Sequence, residues 1–311
     1  MRLAHLSDIH IHNLENVRPW RFLNKRVTGG LNLLLGRSGK HDNRVVQAAL
    51  EHVQTLGVDH TVVTGDLSNL SLESEFEAAR SMLAPYSANL SVIPGNHDYY
   101  TRGSVRAARF ESYYAPWMVS DLPREPGEVY PYAKLLGDDV VLVGLNSCIA
   151  SPPTFAVGRV GEEQRARLDA LLSAPEIEGR FLVVAHHHHL VPPVHTNPRK
   201  EFFRQMEDRE EVKALLTRRG VGLTIHGHNH QHGIFALPRP DGGITYVSEA
   251  GSTSVARFKD PHYGGKFNIY DIGDGELRSA QTWLYEPEDA AFRAWRFWTP
   301  AEGWRDGAIA D

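Results

Sequence analysis

Short apolar runs rich in β-branched residues recur along the chain, and most of them end at Asp, Asn or His. The runs are RLAHLSD, HTVVTGD, LSVIPGN, VVLVGLNS, FLVVAHH, GLTIHGH, ITYVSEAGS and KFNIYDI. Segments 43–57, 161–174 and 210–220 lie between them and carry apolar residues at the helical period. Strands that alternate with helices predict a layered α/β domain, in which ligands bind just beyond the carboxyl ends of the strands.

The composition fits a globular protein and argues against several classes of function. Of 311 residues, 41% are hydrophobic and 23% are charged, and the net charge of −5 indicates no nucleic-acid partner. The single cysteine, Cys148, permits no internal disulfide, which is typical of a reducing compartment. The sequence shows no signal-peptide pattern and no run of roughly 18 apolar residues that could cross a bilayer. We therefore expect a cytoplasmic protein.

Polar residues at five of the strand ends are of the types that bind divalent metals. They form the blocks Asp8–His10, Gly65–Asn69, Gly95–Asp98, His186–His189 and Gly227–His230. Residues two apart on an extended chain, such as Asp8 and His10, point to the same side and can bind one ion. Imidazole and carboxylate together suit Mn, Fe, Zn or Co. The glycines before the ligand-type residues predict sharp turns or close approach of the backbone.

The order D-x-H, GDxxN, GNHD, His and GHxH resembles the calcineurin-like metallophosphoesterase superfamily, over residues 8 to about 255. The pattern is most similar to the branch of cyclic-nucleotide and glycerophosphodiester phosphodiesterases. The resemblance implies an α/β fold, namely a four-layer sandwich of two mixed β-sheets flanked by helices. It also implies a phosphodiesterase with two divalent ions, in which a hydroxide that bridges the ions attacks phosphorus in line.

The resemblance assigns metal ligands to each block. The first ion takes Asp8, His10, Asp66 and His230, and the second takes Asp66, Asn96, His228 and one residue of the histidine run. Alignment from the end of the strand FLVVA makes His186 that ligand. The next residue, His187, becomes a candidate substrate contact beside it. His188 and His189 have no assigned role.

The GNHD block supplies the implied catalytic residues. His97 stabilises or protonates the leaving group, and Asp98 orients the His97 imidazole through a hydrogen bond. Further candidates for contacts with substrate follow ligand blocks in the sequence: Tyr99, Tyr100, Arg102, Arg199 and Lys200. Several substrates fit this chemistry, including a cyclic nucleotide, a glycerophosphodiester and a nucleotide pyrophosphate.

Residues 17–40 carry six Arg or Lys and no acidic residue, interleaved with Trp, Phe and Leu. Two interpretations stay open: a helical flap that packs on the core, and a patch that contacts the inner face of an anionic membrane. The second interpretation makes the protein a membrane-peripheral pyrophosphatase for a lipid-linked nucleotide such as UDP-diacylglucosamine. A different class of alternative is a non-catalytic binding scaffold, although such a protein would be expected to lose ligands that are all present here.

The last strand that the pattern predicts is KFNIYDI, and the residues beyond about 285 are rich in tryptophan. We therefore expect a catalytic domain over residues 1–285 and a C-terminal tail, residues 286–311, that packs on it. Neither the oligomeric state nor the metal identity follows from the sequence.

Overall fold

Two mixed β-sheets form the centre of the structure, which is a computed structural model. The structure describes residues 1–15, 17, 40–152, 154–192 and 197–307. The strands are β1 (Arg2–Leu6), β2 (His60–Thr64), β3 (Leu90–Ile93), β4 (Tyr132–Leu136), β5 (Val140–Gly144), β6 (Phe181–Ala185), β7 (Leu223–His226), β8 (Gly233–Pro238), β9 (Ile244–Glu249), β10 (Lys266–Gly273), β11 (Glu276–Glu286), β12 (Ala291–Thr299) and β13 (Gly303–Asp306).

The first sheet has the strand order β13-β12-β11-β10-β1-β2-β3, and the second has the order β4-β5-β6-β7-β9-β8. In the first sheet β1, β2 and β3 are parallel, and the remaining pairs are antiparallel. In the second sheet β5, β6, β7 and β9 are parallel, and β4 and β8 are antiparallel edge strands. The parallel strands of each sheet end at the same edge, so the residues that follow them are brought together.

Helices cover the sheets and connect the parallel strands. They are α1 (Asn43–Thr55), α2 (Glu73–Leu83), α3 (Arg102–Arg106), α4 (Arg109–Tyr114), α5 (Glu162–Leu171), α6 (Pro198–Phe202) and α7 (Arg209–Arg218), with short 3-10 helices at Ala84–Asn89, Ala115–Trp117, Pro175–Ile177 and Pro261–Tyr263. Helix α1 begins where the Asp42 side chain accepts a hydrogen bond from the Arg44 amide, and it buries Val46, Ala49 and Leu50 along one face. This confirms the helix expected over 43–57.

Strand β5 shows how the layers pack. Val140 and Leu142 belong to the apolar cluster that contains the first sheet, while Val141 and Val143 belong to the cluster that contains α5 and α7. Because side chains alternate along a strand, the second sheet is buried on both faces, between the first sheet and a layer of helices. The predicted fold class, two mixed sheets flanked by helices, is confirmed.

The C-terminal segment differs from the predicted tail. Beyond residue 285 the chain forms β12 and β13, which pair antiparallel with β11 and with each other and so extend the first sheet. Trp298 is buried, and its ring lies 5.0 Å from that of Tyr246 on β9. The alternation of aromatic and polar residues in β12 is the pattern of a strand with one covered face. The segment described to residue 307 is therefore part of the sheet, and the prediction of a separate tail is corrected.

The basic and apolar segment at 17–40, apart from Val17 and Lys40, lies outside the described residues, so the two interpretations of it stay predictions. Within the ranges that the structure describes, no helix is both long enough and apolar enough to span a bilayer.

Candidate metal centre

The ends of five parallel strands bring ligand-type side chains together between the two sheets. The residues are Asp8 and His10 after β1, Asp66 after β2, Asn96 and His97 after β3, His187 after β6, and His228 and His230 after β7. All of them are buried except His97 and His230, which are partly exposed. Burial of so many polar groups is costly unless each has a partner, so their convergence indicates a functional site.

At five of these positions the backbone adopts a conformation that residues other than glycine rarely take. The positive φ angles are 50° at Asp8, 44° at His10, 52° at Asp66, 79° at His228 and 57° at His230. Left-handed backbone at a residue with a side chain costs about 1–3 kcal/mol and clusters at functional sites. The fold thus maintains local strain at five of the sequence-predicted ligands.

Two glycines allow the strand ends to approach closely, as the sequence predicts. A Cβ atom on Gly95 would lie 2.1 Å from the Asp66 backbone nitrogen, and one on Gly227 would lie 2.2 Å from Asp8 Oδ2. Any other residue would displace a carboxylate from the site.

One group of donors surrounds the Asp8 carboxylate. His230 Nε2 lies 3.1 Å from Asp8 Oδ1 and 3.2 Å from His10 Nε2, and His10 Nε2 lies 3.9 Å from Asp66 Oδ2. Burial opposes ionisation of Asp8, but His230 and the Ser7 hydroxyl outweigh it and lower the pKa of its carboxyl. Asp8 is therefore an anion at neutral pH and can bind a cation.

A second group of donors surrounds the side chain of Asn96. His187 Nε2 lies 3.1 Å from Asn96 Oδ1 and 3.6 Å from Asp66 Oδ2, while His228 Nδ1 lies 2.9 Å from Asn96 Oδ1. Asp66 therefore touches both groups. The two groups bring together the residues to which the resemblance assigns the metals: Asp8, His10, Asp66, Asn96, His228 and His230.

In the second group the ring protons of His187 and His228 point away from Asn96, so the nitrogens that face Asn96 can bind a cation. His187 Nδ1 donates to the Thr64 carbonyl at 2.8 Å and His228 Nε2 donates to the Arg204 carbonyl at 3.0 Å, because a carbonyl oxygen can only accept. Burial, as the largest cause, lowers the pKa of both imidazoles, so both are neutral at pH 7. Their remaining nitrogens carry lone pairs that face Asn96 Oδ1. Two nitrogen lone pairs that point at an oxygen acceptor repel it unless a cation lies between them, so this arrangement fits a bound metal ion. A carbonyl that accepts from the other nitrogen of each ring is the usual support for a ligand histidine.

His186 is not at the site, which corrects the ligand predicted from the sequence. Both of its ring nitrogens are used elsewhere, Nε2 with Thr224 Oγ1 at 2.9 Å and Nδ1 with the His188 carbonyl at 2.7 Å. Its ring stacks on that of His226 at 5.5 Å. Successive side chains of an extended chain point to opposite sides, so only the next residue, His187, faces Asp66.

The last two histidines of the run are also buried. His188 Nδ1 lies 2.9 Å from Ser147 Oγ, and its Nε2 donates to the Ala156 carbonyl at 3.2 Å. His189 Nε2 lies 2.8 Å from Glu201 Oε1, and its ring stacks on His228 at 5.8 Å. These two residues fasten neighbouring loops and support His228.

His97 lies at the site, but Asp98 does not orient it. His97 Nδ1 donates to the Asn69 carbonyl at 2.7 Å, and its backbone amide donates to Asp66 Oδ1 at 2.7 Å. The Asp98 carboxylate instead accepts from the backbone amides of Leu67, Ser68 and Gly95. It thereby ties the turns after β2 and β3 together, and the predicted bond to His97 is wrong.

The residues predicted to contact substrate differ in their exposure. Tyr99 is buried, and its hydroxyl bonds to Glu111 and Asn146, so this prediction is wrong. The neighbouring Tyr100, also a candidate from the sequence, is partly exposed and stacks on the His97 ring at 5.6 Å. Arg199 is exposed on α6 and stays a candidate.

Comparison with known proteins places the chain in a family. A sequence model of the calcineurin-like phosphoesterase family matches residues 1–232, so the chain belongs to that family. The family and the donor groups support a metal-dependent phosphoester hydrolase with a centre for two metal ions.

Solved structures show the same fold at low sequence identity. A dimetal phosphatase from Danio rerio is 15% identical, with a TM-score of 0.58 over 90% of this chain and 94% of that chain. The purple acid phosphatase PPD1 from yellow lupin (Lupinus luteus) seeds is 13% identical, with a TM-score of 0.60 over 94% of this chain. The match spans 52% of the lupin protein, about half its length. A search of curated protein sequences finds no significant match.

Proposed function

We propose that the protein is a phosphodiesterase that uses two divalent ions, bound by the two donor groups. Asp8, His10, Asp66 and His230 hold the first ion, and Asp66, Asn96, His187 and His228 hold the second. Ions bound in these positions would supply Lewis-acid stabilisation of the charge that develops on the phosphoryl oxygens. Mixed nitrogen and oxygen donors suit Mn, Fe, Zn or Co.

The position and hydrogen bonding of the His97 ring are the observation that carries the proposal. Its ring lies 5.0 Å from the His10 ring, perpendicular to it, and is covered on one face by Tyr100. Because Nδ1 keeps its proton on the Asn69 carbonyl, a second proton on the ring resides on Nε2. A half-buried histidine beside the donor groups, with one proton fixed, can give the other to a leaving oxygen.

The roles of the surrounding residues follow from their contacts. Asp66 accepts a hydrogen bond from the His97 amide, so the leaving-group acid is fixed relative to the shared carboxylate. Asn69 provides the carbonyl that orients His97, and its side-chain amide donates to the His10 carbonyl at 2.8 Å. The turns after β1, β2 and β3 thus hold the acid and two ligands in one arrangement, which limits the entropy lost in reaching the transition state.

A turnover panel on protein reconstituted with Mn, Fe, Zn or Co tests the proposal. The panel contains a phosphomonoester, a linear diester, a cyclic nucleotide and a lipid-linked pyrophosphate. We expect the diesters to have the highest kcat/KM. A preference for the monoester or for the lipid-linked pyrophosphate would contradict the assignment as a phosphodiesterase, and the second result would support the membrane-peripheral alternative.

Replacement of His97 tests the mechanism separately. His97→Ala is expected to keep both ions and to lower kcat by about 10²–10⁴-fold. The loss should be greatest for diesters with poor leaving groups, because those need the proton most. His262→Ala, at an exposed histidine in the turn Pro261–Tyr263, is the matched control. An equal loss for good and poor leaving groups would remove His97 from the role of leaving-group acid.

A further inference from the structure

His41 is a buried histidine that the family pattern does not include. It lies two residues before α1 and is 5% exposed. Its ring is 4.7 Å from the ring of His10 and 5.7 Å from that of His230, centroid to centroid. One ring nitrogen of each of these three histidines lies within 4.8 Å of the other two. His41 therefore belongs spatially to the first donor group.

The backbone holds His41 firmly in this place. His41 forms an antiparallel bridge with Val255, and the amides on either side bond across it: Asp42 N donates to the Ser254 carbonyl at 2.9 Å, and Ala256 N donates to the Lys40 carbonyl at 2.9 Å. The loop that follows β9 thus positions the imidazole from one side, and the start of α1 positions it from the other.

The hydrogen bonds of His41 match those of a ligand histidine. Ser254 Oγ donates its proton to the Asp8 carbonyl at 3.0 Å, so it accepts from His41 Nδ1 at 2.8 Å. His187 and His228 likewise each donate a proton from one ring nitrogen to a fixed oxygen, which is the usual support for a ligand histidine.

We propose that His41 is an additional ligand of the first metal ion, beside Asp8, His10, Asp66 and His230. The proposal rests on the two-ion function above. Three imidazoles at one ion favour Zn, Fe or Co over Mg or Ca. An ion held there would have one protein ligand more than the second ion, so we expect the two sites to differ in metal affinity.

Metal affinity, measured by competition with a chelator and by metal analysis, tests the proposal. Wild-type protein should bind two ions, and His41→Ala should bind the first at least about tenfold more weakly while the second is unchanged. The visible absorption of the Co-substituted protein should change in His41→Ala because one ligand of that ion is lost. His262→Ala is the control and should match wild type in both measurements.

A serine pair gives a second test that leaves the imidazole in place. Ser252 Oγ and Ser254 Oγ both donate to the Asp8 carbonyl, at 2.8 and 3.0 Å, but Ser254 is the one bonded to His41. Ser254→Ala is therefore expected to weaken the first ion about tenfold or more relative to Ser252→Ala. Equal affinities in the two serine variants, or a wild-type affinity and spectrum in His41→Ala, would overturn the proposal. A wild-type protein that binds fewer than two ions would instead overturn the proposed function.

Discussion

The two sheets contribute chemically different donors to the same site. The first sheet supplies the oxygens, from Asp8 after β1, Asp66 after β2 and Asn96 after β3, together with His10. Among the described donors, those from the second sheet are all imidazoles: His187 after β6, and His228 and His230 after β7. Carboxylates thus come from one sheet, and imidazole nitrogens come mainly from the other.

This difference has an energetic consequence. Burial lowers the pKa of His187 and His228, so these imidazoles bring little positive charge to offset Asp8 and Asp66. Two buried carboxylates without a cation are costly. Metal ions held between the sheets would supply that charge and would join the sheets, which makes the packing of the sheets dependent on metal.

Removal of the metal is the change with the largest expected effect. If the ions join the two sheets, the metal-free protein should unfold more easily, because a ligand that binds only the folded state stabilises it. At metal concentrations about 1,000-fold above Kd, each ion stabilises by about 4 kcal/mol. Denaturant unfolding with and without excess metal measures this, and Asp66→Asn should abolish the difference. Equal stability with and without excess metal would contradict the idea that the ions join the two sheets.

Replacement of one of two adjacent histidines of the run has the next largest effect. His187→Ala should bind one ion instead of two and lose most activity, because it removes a nitrogen that faces Asp66. His186→Ala should keep both ions and lose about 1–3 kcal/mol of stability, because Thr224 Oγ1 loses its buried partner. Metal analysis and denaturant unfolding of the pair distinguish the roles. Loss of an ion in His186→Ala alone would restore the ligand predicted from the sequence.

The smallest expected effect, when measured over one pH unit, concerns the opposite end of the first sheet. His60 begins β2, and burial followed by repulsion from Lys134 lowers its pKa from 6.5 to about 3. The unfolded chain binds a proton below pH 6.5 and the folded chain does not, so stability is lost as the pH falls from 6.5 towards 3. This residue should reduce the free energy of unfolding by about 1.4 kcal/mol per pH unit in that window.

His60→Gln removes this titration without touching the donors, so its unfolding free energy should depend less steeply on pH. Denaturant unfolding of both metal-free proteins at several pH values below 6.5 measures the slopes. Identical slopes would show that His60 ionises equally in the folded and unfolded chains.

Sequence patterns predict the parallel strands and their ends well, for a physical reason. Strands buried on both faces read as continuous apolar runs, and the polar residues at their ends interrupt those runs sharply. The runs at β1, β2, β3, β5, β6, β7, β9 and β10 therefore stand out, and the antiparallel edge strands β4, β8 and β13 do not. Strands β11, β12 and β13 mix tryptophan with charged residues because they lie towards the edge of the sheet, so the pattern alone indicated a tail.

Sequence reasoning failed where the direction of a side chain, rather than its residue type, decides whether it lies in the site. His186 and His187 are the same residue type after the same strand, and only the register of β6 decides which ring faces Asp66. Asp98 and Tyr99 are likewise turned away from the site by the turn after β3. His41 has no motif around it and reaches the donors through its bridge to Val255, a pairing between distant residues.

Anomalous diffraction from crystals grown with Mn or Zn tests the central claim most directly, namely that donors from both sheets hold two ions at a shared Asp66. The account predicts two peaks, both beside Asp66, one adjoining His10 and His230 and the other adjoining His187 and His228. A single peak, or a peak beside His186, would contradict it.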